Sequence, residues 1–240
     1  MKKLHFIPVI AALFLALTQM PAEAQMGGSQ EPEPKPEVST PGYVAMAFYK
    51  LSGGTPDFRA WAESSKAYNE ASSFDKDMVR EKQMADIENI FSLFTLDEPL
   101  VVSMPVKLSE YSFSNKGFFI ESLKEDLFFP VNYVGSDFAL VPENIMDHQW
   151  MRAGDKQAKD IERAAKNRPE RTLDMYFHLV PKFADRKAPL NIEGVDRWLL
   201  LGEVRKMTLV VPVSDKVLWS SQDANFEETK DNELLDLYQK

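Results

Sequence analysis

No cysteine occurs in the 240 residues, and histidine occurs three times. The first absence excludes disulfides, thiol nucleophiles and thiolate metal sites, together with lipoprotein anchoring, which modifies a cysteine at the processing site. The second leaves little for acid–base chemistry near neutral pH, where histidine is the usual group. Neither H-x-x-x-H nor HExxH spacing is present, and no segment has the ligand spacing of a calcium loop, so no metal site is expected. A G-x-S-x-G elbow is also missing. The 10 glycines build neither a Walker loop nor a dinucleotide fingerprint; Gly53-Gly54, the one doublet inside the predicted domain, reads as a turn before a helix. No cofactor is expected.

Long apolar runs are scarce too. One stands at the N-terminus, Phe6 to Leu17, behind Lys2 and Lys3 and ahead of Ala22-Glu23-Ala24. That order of charge, apolar core and small-x-small motif is the pattern of an export signal, with cleavage between Ala24 and Gln25. Twelve apolar residues at about 1.5 Å each fall short of a bilayer core of roughly 30 Å, so an uncleaved span is the weaker reading. No later stretch is apolar enough to cross. The expected location is the bacterial periplasm, or the medium where there is no outer membrane.

Removing residues 1–24 leaves 216 residues with 26 basic and 36 acidic side chains, a net of −10. Such a chain repels a phosphate backbone and an anionic lipid surface, so nucleic acid and membrane are not expected partners. With no disulfide available, the fold must be held by burial, which this length can supply.

Residues 25–42, QMGGSQEPEPKPEVSTPG, are rich in Pro, Glu, Gly and Ser and nearly free of apolar side chains, and read as a disordered linker. A single domain is predicted over 43–221, followed by an acidic tail, 222–240. Tyr43 to Leu51 is an apolar segment stopped by Gly53-Gly54. Thr55 then offers a cap with Pro56 behind it, and Phe58, Trp61, Ser65 and Tyr68 recur at helical spacing. A second helix starts at Ser72 or Ser73, carries Met78, Met84, Ile87, Phe91 and Phe94, and stops before Pro99. These two form a helical hairpin.

Beyond Pro99 the period changes to two. Leu100–Leu108, Gly117–Ser122, Phe128–Val134 and Phe138–Val141 read as strands, then Asn144–Arg168 as a surface helix edged by Ile161, Ala164 and Ala165. Thr172–Asp185 and Trp198–Pro212 are two long strands, with a short one at Lys216–Trp219. Helices first and strands later, without βαβ alternation, predict an α+β fold: an N-terminal helical hairpin on a mainly antiparallel sheet, with one further helical excursion.

The candidate binding site comes from TLDMYFHLVPKFAD, Thr172 to Asp185. As a strand it places Leu173, Met175, Phe177, Leu179 and Phe183 on one face and Asp174, Tyr176, His178 and Lys182 on the other. The polar set is a candidate binding surface, although one face of an antiparallel sheet commonly meets water. His148, in MDHQWMR, reads as a satisfied histidine at a loop-to-helix junction. Ser73-Phe74-Asp75-Lys76 matches S-x-x-K, but S-D-N and K-T-G are absent and Ser73 has a sufficient role as a helix cap. The doublets Phe118-Phe119 and Phe128-Phe129 put one ring on each face of their strands. No catalytic residue is assigned. The composition favours a non-enzymatic binding or interaction protein for a peptide, a protein or a small apolar ligand; the alternative is an envelope hydrolase using paired carboxylates or a His–Asp arrangement from distant segments.

Overall fold

The computed structural model describes residues 33–221. The expected signal peptide, with its expected cleavage site at Ala24 and Gln25, the start of the expected linker and the expected acidic tail, 222–240, lie outside them. Among the described residues no helix is long and apolar enough to cross a membrane.

Helix α1, Pro41–Ser52, starts where Thr40 Oγ1 accepts from the Tyr43 amide at 3.3 Å and Pro41 supplies a preset φ. It ends at Gly53, whose left-handed φ of 63° returns its N–H to the last turn. Val44, Ala45, Ala47 and Phe48 are buried. The Phe48 ring meets Phe138 at 5.2 Å and Trp198 at 6.0 Å, which seats α1 on the sheet.

The helical hairpin follows, with corrected starts. The cap before α2, Phe58–Ser64, is Asp57 rather than Thr55, its carboxylate accepting from the Ala60 amide at 3.0 Å. Ser65, expected on the apolar stripe of one continuous helix, breaks it and caps α3, Lys66–Glu70. Helix α4, Lys76–Leu93, begins after Asp75, so Ser73 is not its cap; the Ser72 hydroxyl instead donates to Asp75 at 2.6 Å. The hairpin is antiparallel because Phe58, at the start of α2, meets Phe91, at the end of α4, while Glu63 pairs with Arg80 at 3.6 Å. It joins the rest through Trp61 on Tyr133 and Phe94 on Tyr43, ring centres 4.9 and 4.8 Å apart.

The main sheet has six strands: β1 Leu100–Lys107, β3 Phe129–Tyr133, β4 Ser136–Pro142, β6 Thr172–Ile192, β7 Val195–Val210 and β8 Val217–Ser220. Their order is β1-β6-β7-β4-β3, with β8 beside the C-terminal half of β7 on the edge that β4 uses lower down. Only β4 and β7 run parallel, so the sheet is mixed but mainly antiparallel in an α+β fold. A small second sheet pairs β2, Gly117–Phe119, with β5, Trp150–Arg152, the latter a strand inside the region expected to be helical. Helix α5, Asp155–Lys166, is the helical excursion and buries Ala158, Ile161 and Ala165.

One face of the main sheet is the core wall. Leu173, Met175, Phe177 and Leu179 on β6 face Val106, Met104, Val102 and Leu100 on β1, and Leu209, Met207 and Val204 on β7. The opposite, outer face is where the candidate site lies. Register slips fall after His178, where the extra residue is Arg205 of β7, after Pro181, where it is Lys182 of β6, and after Asp185; the second shifts the alternation of β6. Phe183, expected on the core face, is therefore 51% exposed and turned outward, level with Leu201. Beyond Asp185 the two central strands run on as a two-stranded arm that closes in a tight turn at Glu193-Gly194, φ 54° and 80°.

Candidate functional site

Residues directly opposite each other on neighbouring strands share a face, so the register defines the outer surface in rows. Val101, His178 and Lys206 form one row across β1, β6 and β7. Ser103, Tyr176, Thr208 and Ser220 form the next and extend it to β8. Pro105, Asp174 and Val210 form the third. Asp174, Tyr176 and His178 are thus brought together in a column on the central strand. Lys182 is not with them. It sits in the bulge past Pro181 and pairs with Glu203 at 2.8 Å, where Arg205 also meets Glu203 at 2.9 Å.

This surface is not an open wet face. Tyr176 retains 4% of its exposure, and Thr208 and Ser220 none. Residues 33–39, which belong to the stretch 25–42 expected to be linker, run over it, while residues 40–42 cap and begin α1. Ser39 pairs with the free edge of β1, its N–H donating to the Val101 carbonyl at 2.8 Å while its Oγ accepts from the Val101 amide at 2.9 Å. Lys35 Nζ stands 5.7 Å above the centre of the Tyr176 ring and 2.8 Å from the Asp215 carboxylate. Glu33 ion-pairs with Lys206, next to His178. Pro34 and Pro36 restrict the backbone and deny it donors, which fits a segment with neither helix nor strand.

The electrostatics follow from this cover. Hydrogen bonds to Asp215 and Tyr176 push Lys35 up to about 12, so it is a fixed cation. Burial pulls His178 below the ordinary imidazole value, and the Lys206 charge pulls the same way, against Glu33. The ring is neutral at neutral pH, and its Nε2 is buried without a hydrogen-bond partner among the described residues. Thr208 Oγ1 and Ser220 Oγ are in the same condition. Lys206, Thr208 and Ser220 share this candidate face and residues 33, 35 and 39 overlie it, an arrangement that the alternation of one strand could not reveal.

The other candidates resolve differently. His148 ends a short 3-10 turn, its Nε2 3.2 Å from the Asn144 amide nitrogen; burial lowers its pKa. Asn144 in turn bonds both the amide and the carbonyl of Val204, fastening that loop to β7. Near Ser73, the Lys76 ammonium lies over the Tyr68 ring at 4.8 Å. Phe118 and Phe129 are buried, while Phe128 lies under the Arg197 guanidinium. A groove of about 790 Å³ runs between α5 and the loop after β1, lined by Tyr111, Phe113, Asp155, Lys159 and Glu162. Its carboxylate Glu162 is already held by Arg171 and the Tyr111 amide, each at 2.9 Å. Among the described residues no group of three or more His, Asp or Glu could hold a metal ion. No family model, curated protein or solved structure matches the chain.

Proposed function

We propose that this chain is a non-enzymatic binding protein of the bacterial envelope, with the outer sheet face around Tyr176 and His178 as its ligand surface. The observation that carries the reading is the concentration of unmet polar groups. Four buried side-chain polar atoms lack a partner among the described residues; three of them, on His178, Thr208 and Ser220, lie on this face in adjacent strands, the fourth being on Arg197. Each such group costs about 1–3 kcal/mol when left unsatisfied. Three on one surface support a reading in which a second molecule supplies hydrogen bonds there, and an extended peptide, with donors and acceptors along its backbone, suits a sheet face crossed by an extended segment. The periplasmic or secreted location rests on the signal pattern of residues 1–24.

The test uses immobilised synthetic peptides of varied composition, with chromogenic ester, peptide and glycoside substrates assayed in parallel. Saturable peptide binding that Lys206→Glu removes, without turnover, is the expected result. Turnover that disappears in His178→Ala would replace this reading with the hydrolase alternative, and binding indifferent to Lys206 would move the site elsewhere.

A further inference from the structure

The segment that covers the outer face also describes what the face accepts. We infer that the ligand is an extended, proline-bearing peptide with a carboxylate and a cation two residues apart, and that residues 33–39 hold its place in the free protein. The inference rests on the binding reading above and gives its ligand a chemistry.

Three anchors define that chemistry. Lys206 receives the carboxylate of Glu33. Two residues on, Asp215 and the Tyr176 ring receive the Lys35 ammonium. Four residues further, the free edge of β1 receives both the amide and the hydroxyl of Ser39 through Val101. Strands stand about 4.8 Å apart, so crossing from β1 over β6 to β7 needs roughly 10 Å, and six extended residues at about 3.1 Å each reach it obliquely. Prolines at 34 and 36 hold that shape at low entropic cost.

The same segment is an incomplete occupant, and this is why it can be displaced. Glu33, Lys35 and Val38 remain exposed, and both ion pairs are open to water on at least one side. Pro34 and Pro36 bring no N–H, and the segment leaves His178 Nε2, Thr208 Oγ1 and Ser220 Oγ unpaired. A peptide of matching charge pattern that carries a donor and an acceptor near these atoms makes every contact residues 33–39 make and adds those they lack. Tethering gives the covering segment an effective concentration on the order of millimolar, so the free protein should bind such peptides weakly until the segment lifts.

The experiment is a fluorescence-anisotropy titration of a labelled peptide with the sequence EPEPKPEVST into three full-length proteins: the wild type, Glu33→Lys/Lys35→Glu, and the same double variant with Lys206→Ala, which removes the anchor without giving the new lysine at position 33 a partner. Circular dichroism shows that each is folded. The double variant, whose own anchors are reversed, should bind the peptide at least tenfold more tightly than the wild type, and Lys206→Ala should abolish that binding. Equal affinity for wild type and double variant overturns the claim that residues 33–39 occupy the site. If this peptide fails while peptides of other composition bind the double variant through Lys206, the ligand chemistry is wrong and the binding reading stands. If no peptide binds the double variant, the binding reading falls as well.

Discussion

Replacing Phe177 and Phe183 separately by alanine reads out the bulges of β6, because the two phenylalanines stand on one face if the strand alternates and on opposite faces in the structure. Phe177 is fully buried, lies between Val102 of β1 and Met207 of β7, and has its ring 5.5 Å from Phe129 at 49°. Truncating a buried phenylalanine costs about 3–5 kcal/mol, the lost transfer energy together with the cavity left behind. With a urea m-value of about 3 kcal/mol/M, the midpoint should fall by roughly 1 to 1.7 M. Of that loss about 0.5–1.5 kcal/mol belongs to the ring pair and should reappear as the coupling term when Phe129→Ala is combined with Phe177→Ala. Phe183 keeps half its surface in water, so Phe183→Ala should stay within about 0.5 kcal/mol of wild type. Urea unfolding followed by tryptophan fluorescence measures the wild type, the three single variants and the double variant. Equal losses at 177 and 183 would refute the outward turn of Phe183, and a neutral Phe177→Ala would refute the assignment of the core face.

Burial lowers the pKa of both His148 and His178 below 6.5, so the unfolded chain takes up protons first as pH falls; stability should decline as pH falls below about 6.5, and replacing both residues by glutamine should flatten that part of a stability–pH curve. Thr208→Val removes an unpartnered buried hydroxyl while keeping its shape, so denaturant unfolding should show neutrality to about 1 kcal/mol of stabilisation, whereas peptide affinity should drop. Gly117→Ala places a methyl 2.4 Å from the Met151 carbonyl oxygen across the small sheet, and calorimetry should find Tm lower by about 5 °C or more. Mass measurement of protein recovered from the envelope should give Gln25 as the first residue; a chain beginning at Met1 in the membrane fraction would overturn the cleaved signal.

Periodicity exposed much of the fold and little of its assembly. The change from helical to two-residue spacing near Pro99 falls where β1 starts, and the Ala158, Ile161 and Ala165 face of α5 was partly visible as Ile161 and Ala165. Helix starts were displaced because Thr55, Asp57, Ser73 and Asp75 are all residue types that cap helices, and composition does not say which of two neighbours stands at the first turn. A strand of three residues, such as Trp150–Arg152, is too short to show a period. The parallel pairing of β4 with β7 depends on distant segments and leaves no local trace. On the candidate face, alternation put Asp174, Tyr176 and His178 on one side of β6, as the register does. It then carried Lys182 along, since a bulge inserts a residue without changing composition. The covering segment escaped notice for a thermodynamic reason: a Pro- and Glu-rich stretch cannot bury apolar area, and what holds residues 33–39 is ion pairing and one edge contact, neither of which composition reports.

The central position of β6 and β7 has a consequence in time. Paired residues of β1 and β6 lie 65 to 79 positions apart in the chain, and β4 finds its parallel neighbour only once β7 exists. A chain emerging N-terminus first therefore makes α1, the helical hairpin and the outer strands before it has the strands that join them. Phe48 has Phe138 to meet but not Trp198, and β1 has no ladder. Closing such long loops costs entropy before any contact offsets it, which slows folding and keeps the nascent polymer open until β7 has been made. An open polymer is what a protein-conducting channel threads, so the same topology that buries the sheet's middle strands also delays folding until the export proposed here would be under way.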